Sequence, residues 1–296
     1  MKFLLSFLLL CLSITSSAQT LRLAVYQYAE NQRIKNLEPL ARHLEKTLQI
    51  DCSVKSYPTV HAFIDAIRRG EVDIAFINTF GYLLLETGKH YSMYPAVALT
   101  VPVPEDNYKT AFIVRKEIEL NAISELPQHS HKLKLALVAK GSTSGNLVPR
   151  LALAKTGLYN PEKDFRSLTY AGTHANAIQQ LLGGTADIAA MGSSEFTKLS
   201  DSVRQKLRQI WLSTEIPLGP VLFHKRIGKT LSEKIRIELL NIHHTAPETL
   251  ESLKDAWSEA KQATHFINIQ KNHYEPFLLQ FGTLKQISPI LKQFVY

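Results

Sequence analysis

The sequence predicts a two-lobed α/β protein, each lobe a mostly parallel sheet flanked by helices. Three observations predict it. Short apolar runs alternate with segments of helical period, as in a parallel sheet with crossover helices. A pattern in the first half, GEVDIAFINTF, returns in the second as GGTADIAAMGSSE. Two proline-bearing segments, around residues 101–109 and 212–223, separate the halves and supply two crossings between lobes.

The elements follow in order. Residues 1–18 open with Met1-Lys2, continue through an apolar run and end in Ser16-Ser17-Ala18, the pattern of a secretory signal peptide cut before Gln19. Leu10 before Cys11 is too large for a lipoprotein site. Residues 21–26 read as a strand and residues 37–48 as a helix. A second strand follows at 51–56, a helix at 60–69, and a doubly buried third strand within residues 70–78. A helix then opens at Thr79. In the second half, strands are expected at 133–138 and 167–170 and helices at 146–156 and 174–182, before the repeated Asp-Ile-Ala strand. The runs AFIVRK and GPVLFHK, beside the crossings, are alike and read as hinge strands. Residues 231–296 read as mostly helical and are expected to pack back on the first lobe. The division is therefore signal peptide 1–18, lobe 1 at 19–107 plus 215–296, and lobe 2 at 108–214.

Composition narrows the functional classes. The formal charge is +8, and +7 once Lys2 leaves with the signal, with 33 basic against 26 acidic residues. The excess suits an anionic ligand, but the basic residues are scattered and no aromatic-basic stripe points to nucleic acid. Cleavage removes Cys11 and leaves Cys52 alone, so no intrachain disulfide is expected. No P-loop, H-E-x-x-H or G-x-G-x-x-G motif is present, and GSTSG centres on Thr143 rather than on a nucleophilic serine, so binding is the simpler reading than catalysis. His129, His131, His243 and His244 lack the carboxylate or cysteine company of a metal site, and no metal or cofactor is expected.

The chemistry concentrates in LKLALVAKGSTSG, residues 133–145, where an apolar strand runs into a hydroxyl-rich turn at a helix start. Unpaired amides and the positive end of the helix dipole make such a start an anion site, to which Ser142, Thr143 and Ser144 add donors. Hydroxyls are also favoured at helix caps for structural reasons alone. Ligands of open parallel sheets bind beyond the carboxyl ends of the strands. That rule adds Tyr26 and Tyr28, Asn78 and Thr79, His174, and Glu195 on the corresponding loops. His174 titrates near physiological pH in its unperturbed state, so anion affinity is expected to depend on pH. Asp73 and Asp187 precede matching strands and are expected to tether the strand starts, away from the cleft.

The combination STSGNLVPR, then DF, then YAGTHANAIQQLLGGTADIAAM, preceded by GEVDIAFINTFGYLL, resembles the periplasmic substrate-binding proteins of phosphate, phosphite and phosphonate ABC importers. The resemblance covers residues 21 to about 225, with GTH in place of the family's GSH. It implies a type II periplasmic-binding fold closing on its ligand like a hinged trap. By position, Ser142, Thr143 and Ser144 would hold a phosphonate, phosphite or phosphate, and His174 would give it a hydrogen bond or a charge. Glu195, eight residues after Asp187, matches an acid that pairs with the amine in aminophosphonate-binding members. Those members carry tyrosines where this chain has Val60 and Ile77, and a second acid where it has Gly219. The implied setting is the periplasm, with an inner-membrane ABC permease as partner and a monomeric protein. A sensor subunit of the same fold, or an importer component for a sulfonate or thiamine-precursor phosphate, remains an alternative.

Overall fold

The computed structural model describes residues 20–28, 31–88, 91–103, 105 and 107–294. The expected signal peptide lies outside the described residues. Eleven strands form two sheets among them: β1 (Leu21–Tyr26), β2 (Cys52–Tyr57), β3 (Ile74–Phe76), β4 (Met93–Thr100), β5 (Thr110–Arg115), β6 (Lys134–Leu137), β7 (Ser167–Tyr170), β8 (Ile188–Gly192), β9 (Leu207–Leu212), β10 (Pro220–His224) and β11 (His265–Asn268). The first sheet has the order β11-β4-β10-β3-β1-β2 and the second β7-β6-β8-β5-β9. In each, a parallel triplet is joined by antiparallel strands, and the two triplets correspond. The like runs AFIVRK and GPVLFHK contribute β5 and β10, each of which lies antiparallel beside its repeated Asp-Ile-Ala strand.

The repeated aspartates explain why the pattern recurs. Asp73 accepts from the amide of Arg22 on neighbouring β1 at 2.9 Å, and Asp187 accepts from the amide of Lys134 on β6 at 2.9 Å. Each also meets arginine: Asp73 pairs with Arg22 and Arg226, and Asp187 with Arg115 at 2.7 Å. Both carboxylates thus pin adjacent strands at their entry ends, as the sequence implies.

Periodicity missed several elements. β4 and β9 adjoin the crossings, and the four-residue β11 adds an edge to the first sheet inside a stretch expected to be mostly helical. The carboxyl-terminal segment also differs in placement. It does pack on the first lobe, but its final helix, Leu284–Lys292, with Gln293 and Phe294 after it, reaches both lobes. Phe294 stacks edge-on against Phe80 of lobe 1 at 5.0 Å, while Arg150 of lobe 2 lies 5.6 Å from its ring. Gln293 donates to the Tyr159 carbonyl at 3.0 Å, and Lys155 donates to the Gln280 carbonyl at 2.9 Å. One apolar cluster therefore runs from Phe63 and Phe80 through Ile287 and Phe294 to Leu147 and Leu151. The physical reason is that both lobes present apolar helix faces at this edge, and a helix with one apolar stripe covers both.

Candidate functional site

The turn after β6 folds as the sequence implies. The Ser142 hydroxyl caps the helical segment by accepting from the Gly145 amide at 3.0 Å. The first turn, Thr143–Leu147, is wound wider than an α-helix before the chain continues as Val148–Lys155. Ser142, Thr143 and Ser144 are buried, and all three face a cavity of about 140 Å³ between the lobes. The lobes touch here: the Thr143 hydroxyl accepts from the Phe80 amide at 3.1 Å and also meets the Tyr108 hydroxyl. Val60 of lobe 1 fits against Gly141, where a Cβ would stand 2.4 Å from its Cγ1.

From lobe 1 come Asn78, Tyr26, Tyr28 and Arg33. Asn78 lines the cavity, but both of its side-chain groups have protein partners. Its Oδ1 caps the helix Thr79–Thr87 by accepting from Gly81 at 2.9 Å, and its Nδ2 donates across the cleft to the Gly141 carbonyl at 3.0 Å. Thr79 is fully buried behind the wall, where its hydroxyl donates to the Pro217 carbonyl at 2.6 Å. The buried hydroxyls of Tyr26 and Tyr28 line the cavity without hydrogen-bond partners. Burial raises both, Tyr28 to about 12, so they are neutral donors.

His174 begins the helix His174–Leu182 and completes the lobe 2 wall. Its Nδ1 accepts from the Gly192 amide at 2.9 Å, so the neutral ring carries its proton on Nε2, as a donor. Burial pushes its pKa down to about 4, against the smaller opposing pull of Glu195. The expected titration near physiological pH is thereby displaced, and the ring serves as a neutral hydrogen-bond donor. Glu195 lies outside this cavity. It faces an adjoining outer cavity of about 290 Å³ and pairs with Lys198 at 2.9 Å. Ser144, His174, Tyr108 and Glu259 line both cavities.

Sequence reasoning missed Arg33, Tyr108 and the segment from Asp255 to Glu259. Asn31 and Arg33 reach that segment across more than two hundred residues by bonds to the Ala256 carbonyl, at 3.1 and 2.7 Å. Periodicity carries no signal for such a contact. Arg33 did leave one: it is the first residue of the helix Arg33–Leu48, whose first turn holds no acid. A cation at that end opposes the helix dipole and needs another reason to be there. Gly219 has a steric reason, since a Cβ would lie 2.0 Å from the Ile77 carbonyl oxygen. Among the described residues, no group of three His, Cys, Asp or Glu is placed to hold a metal.

A family model for the periplasmic substrate-binding protein of phosphonate ABC transporters matches residues 23–274. The phosphonates-binding periplasmic protein of Escherichia coli K12 is 26% identical over 225 residues, spanning 74% of this chain but 65%, just under two thirds, of that protein's length. In structure, the chain is similar to PhnD1 of Prochlorococcus marinus in complex with methylphosphonate, with a TM-score of 0.66 and 18% identity over 88% of this chain and 97% of the other. It is also similar to XAC2383 of Xanthomonas citri bound to ATP, with a TM-score of 0.72 and 18% identity over 93% and 98% of the chains.

Proposed function

Since this chain belongs to the family of periplasmic substrate-binding proteins of phosphonate ABC transporters, we propose that it captures a small phosphorus oxyanion between its lobes and delivers it to an inner-membrane ABC permease. The ligand class is a phosphonate, phosphite or phosphate. In this reading residues 1–18 direct export to the periplasm, the lobes divide at residues 107/108 and 214/215, and a monomer docks the permease.

One observation carries the reading: hydroxyl and imidazole donors of residues 142–144 and His174 share a small cavity with two partnerless tyrosine hydroxyls of the opposite lobe. An oxyanion placed there would accept from the Ser and Thr hydroxyls, the helix-start amides and His174 Nε2, while Tyr26 and Tyr28 donate from lobe 1. Bonds from both lobes to one anion stabilise the closed arrangement over the open one by the difference in affinity between the two. Hydrogen bonds to an ionised acceptor in a dry cleft are the strong kind, roughly 1.5–3 kcal/mol each.

Isothermal titration with methylphosphonate, phosphite and phosphate tests this. Ser144 is the cleanest position, because Ser142 also caps its helix. Ser144→Ala should weaken the bound anion by at least about tenfold, the equivalent of about 1.4 kcal/mol, with an unchanged unfolding midpoint. Failure of all three anions to bind, or full affinity in the variant, would remove the proposed site.

A further inference from the structure

Among the described residues, Arg33 is the one charged side chain of the inner cavity that is almost wholly buried, at 4% exposure. Its Nε donates to the Ala256 carbonyl at 2.7 Å. Its guanidinium carbon lies 4.6 Å from the Tyr26 ring centre, 4.8 Å from Trp257 and 5.3 Å from Tyr28. Aromatic faces and one carbonyl ease the burial of a cation but supply no negative charge. Nη1 is buried and has no hydrogen-bond partner, and no ion pair joins Arg33 to a carboxylate among the described residues. Asp255 and Glu259 face the same cavity without pairing with it, Glu259 at the junction with the outer cavity. A guanidinium so placed is matched by a planar two-oxygen acceptor brought in by the ligand.

Position separates this cation from the phosphoryl end. Arg33 packs against the Tyr26 and Tyr28 rings and the Ala256 carbonyl, whereas residues 142–144 begin the helical segment after β6. The two groups also belong to opposite lobes. We infer that the cavity takes a phosphorus oxyanion carrying a second acidic group, a carboxylate, which Arg33 receives while residues 142–144 hold the phosphoryl oxygens. This rests on the function proposed above and names the ligand's other end. It also makes Arg33 a specificity-determining residue of lobe 1 that draws the lobes together through the length of the ligand.

The test compares phosphonoacetate with methylphosphonate by isothermal titration on the mature protein. The wild type should bind phosphonoacetate at least about tenfold more tightly, the worth of one charge-assisted bidentate contact. Arg33→Met, which keeps the length and loses the charge, should bring that ratio to about one. Equal affinities in the wild type would overturn the inference whether or not the variant folds, and so would a preserved ratio in Arg33→Met. Absence of binding by either compound would overturn both this inference and the proposed function, whereas tight binding of methylphosphonate without preference would sink this inference alone.

Discussion

His174 ties ligand chemistry to pH in a way that can be measured without a ligand. Its pKa falls from an ordinary 6.5 to about 4 on folding, because burial disfavours the charged ring. Between those values the unfolded chain binds a proton that the folded chain refuses. The neutral ring's contribution is complete above pH 6.5 and is lost as pH falls toward 4. Linkage puts the loss at about 2 kcal/mol at pH 5 and about 3 kcal/mol at pH 4. Urea unfolding of wild type and His174→Gln from pH 7.5 to 4 isolates this group, since other titrations cancel in the difference. The wild type should lose stability relative to the variant by those amounts, and parallel curves would refute the buried neutral imidazole. The same reasoning makes the wild-type to variant ratio of anion affinity flat from pH 6 to 8, where the ring stays neutral.

Two further outcomes follow from the packing. Asp187→Asn should cost about 1–2 kcal/mol in urea unfolding, because it removes the buried one of two charge partners of Arg115, the other being Glu117, while leaving an oxygen for the Lys134 amide; anion affinity measured by titration should stay within twofold, since the residue lies at the far end of the strand. Gly219→Ala should lower stability by about 2–3 kcal/mol, because its Cβ would stand 2.0 Å from the Ile77 carbonyl oxygen and 2.5 Å from the Asn78 Cα. The thermal midpoint should fall with it, and a variant as stable as wild type would show that this loop yields freely.

The doubled fold was legible because it is written twice. The two Asp-Ile-Ala strands each need an acid at the entry end and apolar side chains on both faces, and a shared requirement leaves a shared string. The hydroxyl turn was legible because a helix start demands the same residues whether or not an anion sits there. That overlap is also why the sequence left its role open. Glu195 and Thr79 fall on the right loops, but whether a side chain points into a given cavity depends on neighbours far along the chain: the outer cavity shared with Tyr108 and Lys261 for one, the Pro217 carbonyl for the other. Arg33 escapes the strand-end rule because it begins the helix that follows the loop rather than lying on the loop itself. The neutral state of His174 was out of reach for a similar reason, since its cause is burial and a backbone amide eighteen residues away.

The final helix changes what kind of hinge this is. Two crossover segments alone would let the lobes swing about one axis. With Phe294 seated between Phe80 and Arg150, and hydrogen bonds at Gln293 and, before the helix, at Gln280, the lobes share a third attachment on another edge. Any separation of the lobes then has to carry the strap away from one of them and wet its aromatic contact. A joint fastened on two edges has to peel as well as swing.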